Sequence, residues 1–446
     1  MARADRPALS TRSARRAVDV LWRMESARVV GALARFTGDI WLAEDVAQEA
    51  LAEALVSWSL GGLPQDPTGW LLTTGRRRAI DAMRRRSALN ARYEALAADL
   101  DERYEEVFDP ESIGDDVVNL MFIACHPLLS SEAQLALTLR VVGGLSTQEI
   151  ANAFLVPVAT VQARITRAKK TLAAARVEFA APSVDERSKR LGSVLHVVYL
   201  MFTEGSFPSL TDGGIRSALA DEACRLARVL SHLEPSPETF GLLALLELTA
   251  ARFPARVDRA GDPVLLEDQD RRLWDRAAIV RGRAALARAT EGARGLGPYG
   301  LQAAIAECHT LAPSVEETDW QRIVLLYDAL QKIASSPIVE LNRAIAIGMR
   351  AGPAAGLEAV ELLAGRGELA GSHLIASVRG ELLLRLGRPD EASREFESAI
   401  AACRNPSELV VLRRKLARLE RGDSPAARRQ RAPVRRLMGS GSNPAL

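Results

Sequence analysis

The chain has 446 residues and nearly balanced charge, 58 Lys plus Arg against 56 Asp plus Glu, for a net charge of +2. That length gives room for about two to four domains, and 48% hydrophobic with 26% charged residues is ordinary globular composition. No apolar run reaches the ~20 residues that span a bilayer, the Arg-rich start lacks the apolar stretch of a signal peptide, and four scattered cysteines without a CxxC argue against a disulfide framework or zinc ribbon.

Ala, Leu, Arg and Glu dominate while β-branched and aromatic residues are sparse, so the fold expected is all-α. Reduced thiols suit a cytoplasmic protein. Residues 1–12 read as a flexible basic arm. Helical patterning then runs from about residue 13 to 60, followed by the turn-rich string Gly61-Gly62-Leu63-Pro64-Gln65-Asp66-Pro67. The next helix spans about 68–86. At 100° per residue it puts Leu72, Gly75, Ala79 and Met83 on one face and Arg77, Arg78, Arg84 and Arg85 on the other. Four guanidinium groups projecting together suit phosphate binding; a merely solvated basic face is the alternative.

The segment 91–113 is an acidic linker, with Asp99, Asp101, Glu102, Glu105 and Glu106, too short for a further domain. Residues 114–180 form a second helical module. Within it Ser146-Thr147-Gln148-Glu149 is a capping-box pattern, and Pro157 suits the first turn of the following helix. That helix sets Val158, Val161, Ile165, Ala168 and Leu172 inward, and Thr160, Ala163, Arg164, Arg167 and Lys170 outward. A short helix, a tight turn and a basic second helix make a helix-turn-helix, whose second helix enters the major groove.

From 184 to 420 helix follows helix. Gly352-Pro353 and Gly387-Arg388-Pro389 mark units 35 residues apart, and Gly380, Ala392, Phe396 and Ala399 have tetratricopeptide-like spacing. Residues 421–446 are rich in Arg, Pro, Ser and Gly and read as a disordered basic tail. Three strings invite other chemistry. Gly295-Leu296-Gly297-Pro298-Tyr299-Gly300 matches GxGxxG but follows a helical run, not a strand. Cys125-His126 and Cys308-His309 are adjacent pairs that cannot easily share one metal ion; a buried Cys beside a capping His is the simpler reading. Asp268-Gln269-Asp270-Arg271-Arg272-Leu273-Trp274-Asp275 reads as a charged helix locking repeats together, with no nucleophile, base and oxyanion donors converging. No cofactor, metal or enzymatic activity is expected.

Taken together the motifs resemble a known family. Leu42-Ala43-Glu44-Asp45-Val46-Ala47-Gln48-Glu49-Ala50, the Trp70-Leu71-Leu72 opening of the basic helix, and Ile80-Asp81-Ala82-Met83-Arg84-Arg85-Arg86 resemble region 2 of bacterial RNA polymerase sigma factors. Gly144-Leu145-Ser146-Thr147-Gln148-Glu149-Ile150-Ala151 and the helix through Lys169 look like region 4. Two modules joined by a short linker match the extracytoplasmic-function layout. Val198-Tyr199-Leu200-Met201-Phe202-Thr203-Glu204-Gly205 and the Asp268–Asp275 string resemble the subgroup with a large C-terminal helical-repeat extension.

The resemblance implies core RNA polymerase and promoter DNA as partners. It places polymerase contacts at Glu44, Asp45, Gln48 and Glu49, and −10 contacts at Trp70 and the four arginines of the basic helix. The loop 61–67 would capture a flipped base, whose lost stacking costs a few kcal/mol. Contacts to −35 fall at Gln162, Ala163, Arg164, Thr166, Arg167 and Lys170. Leu155 stands where many relatives have Gly, which bears on the shape of the turn. The extension would either support the two modules or cover their DNA faces, with support favoured, and a small regulatory protein of the YCII-like type is implied as its partner. Two other readings stay open: a helix-turn-helix regulator with a repeat-type sensor, and a repeat scaffold.

Overall fold

A computed structural model describes residues 11–87, 112–154, 156–177, 179, 183–206, 215–258, 262–292 and 295–421. Among these the fold is all-α, with no strand beyond an isolated bridge between Val257 and Pro263. The arm, the greater part of the acidic linker, Leu155 and nearly all of the basic tail lie outside the described residues.

The first module is α1 (Thr11–Thr37), α2 (Ile40–Gly61) and α3 (Pro67–Ser87). The single helical stretch expected up to residue 60 is two helices. Gly38 takes φ +66°, and Asp39 then caps α2 by accepting from Trp41 N and Leu42 N. The second module is α4 (Ser112–Ala124), α5 (Ser131–Val141), α6 (Thr147–Ala153) and α7 (Val158–Ala174). The capping box at Ser146 and Glu149 is formed, and Pro157 is the N-cap of α7, one position earlier than expected.

The extension begins with a second capping box, Ser183 and Glu186, and runs through α8 (Val184–Gly205), α9 (Ile215–Leu233), α10 (Pro237–Ala250), α11 (Arg276–Thr290), α12 (Pro298–Leu311), α13 (Trp320–Ile333), α14 (Pro337–Ala351), α15 (Pro353–Gly365), α16 (His373–Arg385), α17 (Pro389–Ala402) and α18 (Pro406–Glu420). Helices adjacent in sequence pack on one another through most of the extension, the nearest-neighbour packing of a repeat array, while α12 packs more on α10 than on α11. The residues with tetratricopeptide-like spacing pack α16 on α17: Ala392, Phe396 and Ala399 are buried, and a Cβ on Gly380 would stand 2.8 Å from the Phe396 ring. The string 268–275 is not a helix. It is a loop carrying 3-10 turns at Leu266–Asp268 and Arg271–Leu273, with Trp274 buried. The GxGxxG string caps α12 behind a helix, so the dinucleotide context is missing.

One hydrophobic core runs from Val18 through both modules to Leu246. The first hairpin of the extension therefore shares its core with the two modules, and Val194, Val198, Met201, Leu219 and Leu226 belong to it. Later repeats have separate small cores.

Candidate nucleic-acid interface

Helix α3 buries Leu71, Leu72, Ala79 and Met83, and Gly75 lets it sit against Leu33, where a Cβ would come within 2.8 Å. That fixes the opposite face outward. Arg77, Arg78, Arg84 and Arg85 are all exposed, and Arg78 pairs with Glu53 at 2.8 Å. Trp70 is half-buried, edge-on to the buried Trp58 at 5.4 Å, so the aromatic pair braces the start of α3 behind the loop 61–67. Asp66 steadies that start by accepting from Gly69 N.

Helix α7 buries Val161, Ile165, Ala168 and Leu172 against α5 and α6, while Val158 is only half-buried. Gln162, Ala163, Thr166, Arg167 and Lys170 are exposed, and Arg164 is half-buried. Arg164 and Arg167 line a groove of about 410 Å³ with Leu128, Ser130, Glu132 and Thr171. Among the described residues no helix of the extension makes an extensive contact with α7, so the face expected to read DNA is open.

The four residues matched to polymerase contacts divide. Asp45 and Glu49 are exposed and Gln48 is half-buried, but Glu44 is 4% exposed and turned into the second module. Its carboxylate accepts from Arg140 Nε at 2.7 Å and from Lys169 Nζ at 2.5 Å. Burial pushes the Glu44 carboxyl up, but the Lys169 ammonium and the Arg140 guanidinium outweigh it and hold it below the ordinary carboxylate range. Lys169 also sits 5.0 Å over the Trp41 ring. Helix α1 adds to the contact: Trp22 Nε1 donates to Gly144 O at 3.1 Å, and Arg23 pairs with Glu149 at 2.6 Å. Gly144 has φ +66°, and a Cβ there would meet Ser26 Oγ at 2.5 Å, so this docking needs glycine. Sequence reasoning missed this inter-module contact, whose partners lie 96 to 126 residues apart.

Comparison with known proteins agrees with this architecture. The model described as Sigma-70 region 2 matches residues 21–89, that of Sigma-70, region 4 matches 119–172, and a family of unknown function (DUF6596) matches 190–290. An uncharacterized protein of Rhizobium meliloti is 44% identical over 397 residues, 88% of this chain and 93% of its own length. A probable ECF RNA polymerase sigma factor, SigI, of Mycobacterium tuberculosis is 28% identical over 177 residues, 39% of this chain and 59% of that protein. No solved structure matches. The chain thus carries Sigma-70 regions 2 and 4, resembles a probable ECF sigma factor over that part, and bears a large C-terminal helical extension behind them. No helix among the described residues is long and apolar enough to cross a membrane.

Proposed function

We propose that this chain binds core RNA polymerase and directs it to promoters, reading −10 through α3 and −35 through α7, with no catalysis of its own. The observation that carries this reading is the pair of outward basic faces, on α3 and on α7, each fixed by a packed apolar stripe within a sigma module. A free-standing helix-turn-helix regulator would leave the first module and its exposed arginines without a task.

Polymerase docking belongs to the outward side of α2, with Asp45, Gln48 and Glu49; Glu44 faces the other way. Twenty-five base pairs between −10 and −35 span about 85 Å at 3.4 Å per step. The Glu44 hub and the Trp22–Gly144 contact instead hold the two modules against each other on one core. The arrangement is therefore a closed one, and promoter loading separates α1 and α2 from α5, α6 and α7. The extension supports region 4 through the shared core and leaves its DNA face open. The small regulatory partner finds no support in the comparisons and is not part of the proposal.

The test is charge reversal on the docking face. Asp45→Lys with Glu49→Lys should abolish co-purification with core polymerase while leaving the melting temperature of the chain near wild type. Wild-type recovery of the complex by a folded double variant would remove α2 from the interface.

A further inference from the structure

The extension gathers a half-buried group of basic residues that form no ion pair among the described residues. Arg252 and Arg256 bracket the 3-10 turn Phe253–Ala255, Arg271 opens the turn Arg271–Leu273, and His309 lies in the last turn of α12. The Trp274 indole lies among them: the guanidinium carbon of Arg271 is 4.5 Å from its ring centroid and that of Arg252 is 5.7 Å. Arg271 Nη1 donates to the carbonyls of His309 and Ala312, each at 2.7 Å, which caps the C-terminus of α12. Arg256 donates to Ser206 O at 3.1 Å. Those contacts are structural.

What is left over is not accounted for by structure. Arg252 Nε, Arg271 Nη2, Trp274 Nε1 and His309 Nδ1 are buried and have no hydrogen-bond partner. Trp274 is 3% exposed, so its N–H cannot turn to water instead. Arg252, Arg256 and Arg271 form no ion pair among the described residues, whereas Glu44 and Glu247 each hold two cations on one buried carboxylate. Buried donors and buried charges are normally satisfied, because leaving them unpaired forfeits hydration without return. Burial, with the neighbouring guanidiniums, brings Arg252 down to about 10 and His309 down to about 4. The charged groups acting on His309 are Arg252 and Arg271; Arg256 acts on Arg252, and Glu316 on Arg271.

We infer that this cluster is a binding site for an oxyanion, the carboxylate or phosphate group of a small-molecule ligand, held by Arg252, Arg271, His309 and the Trp274 N–H. The guanidinium fork matches the geometry of either group, and the indole supplies a further fixed donor. His309, neutral in the empty site, takes up a proton beside a bound anion and becomes another donor. Three of the four residues lie in the stretch 190–290 matched by the family of unknown function, and His309 brings in α12 beyond it. A bound anion would tie both 3-10 turns to α12. The inference does not depend on the transcription reading, because binding is measured without polymerase or DNA.

The experiment titrates the full-length chain by calorimetry with inorganic phosphate and, separately, with acetate, at constant ionic strength in chloride. One of the two should bind saturably at one site and shift the Trp274 indole N–H resonance, and which one binds separates phosphate from carboxylate. Affinity should be several-fold higher at pH 5.5 than at pH 7.5, because binding raises the His309 pKa and takes up a proton, and His309→Gln should flatten that dependence. Arg252→Gln should weaken binding at least tenfold, while the melting temperature of the ligand-free protein stays level or rises as an unpaired buried charge is removed. Absence of saturable binding by both probes, with a lower melting temperature for Arg252→Gln, would make the cluster purely structural and overturn the inference. Equal binding by wild type and Arg252→Gln would overturn it too, as an adventitious ion only.

Discussion

Glu44 and Glu247 are buried in the same way and serve different ends. Glu247 on α10 accepts from Arg228 on α9 and from Arg281 on α11, with closest approaches of 2.6 and 2.8 Å. It ties three neighbouring helices of the extension, with partners 19 and 34 residues away. Glu44 on α2 holds Arg140 and Lys169, partners 96 and 125 residues away in another module. One carboxylate between two cations is a scaffold where the helices stay together and a latch where they must part. The chemistry of the hub is the same in both; the motion required of the segments it joins decides its role.

The largest effect should come from the scaffold. Glu247→Ala should cost about 3 kcal/mol of stability, the lower end for breaking a buried pair, because Arg228 and Arg281 are nearly half exposed and can turn to solvent. Denaturant midpoints at unchanged slope read this, and the folded fraction should bind core polymerase as wild type does. A stability loss near zero would end the scaffold assignment.

On the exposed face of α7 proposed to read −35, Arg164→Ala should weaken binding to a matched −35 duplex by about 2 kcal/mol if the guanidinium grips a base edge. Single-base changes in the duplex locate that base. Equal weakening on all sequences, with a flatter salt dependence, would assign Arg164 to phosphate instead.

A smaller effect of opposite sign is expected at the latch. In the closed arrangement Glu44→Gln leaves Arg140 and Lys169 without their carboxylate, and opening relieves both. A bias of about 1 kcal/mol toward the open form raises apparent affinity for core polymerase roughly fivefold. Fluorescence titration with core polymerase checks it, and weaker binding would instead make Glu44 a direct polymerase contact.

The smallest effect is on pH. The carboxyl of Glu44 is held below its ordinary value of 4.5, so its contribution to the closed contact is fully present above about 4.5 and is lost as pH falls through the lowered value. Exchange of the Trp22 indole proton, which is bonded to Gly144 O, should therefore be insensitive to this group between pH 6 and 8 and accelerate in acid. Acceleration already at neutral pH would show that Glu44 does not control the contact.

Periodicity carries information within a helix and little between helices, and what was legible follows that division. The buried stripe of α3 with its opposed arginines was readable at 100° per residue, and so was the Ser146 capping box, because each depends on residues a few positions apart. The α1–α2 break was marked by Gly38 and Asp39, a left-handed glycine and an N-cap, but the apolar pattern continued across it. The inward turn of Glu44 had no local signal: Asp45 beside it faces water, and only contact with Arg140 and Lys169 separates the two. The 3-10 turns around Arg271 were hidden by a charge pattern that also suits a helix. The unpaired donors of Arg252, Arg271, Trp274 and His309 become visible only when α10, α12 and the intervening loop are brought together.

The most direct measurement is transcription with purified core RNA polymerase, the full-length chain and a DNA library carrying varied −35 and −10 elements, with RNA 5′ ends sequenced. The proposed function requires transcripts that depend on the chain, start at one consistent distance downstream of paired elements, and change their −35 preference with Arg164→Ala. Transcripts independent of the chain, or a folded chain that binds DNA but never joins the polymerase, would contradict it.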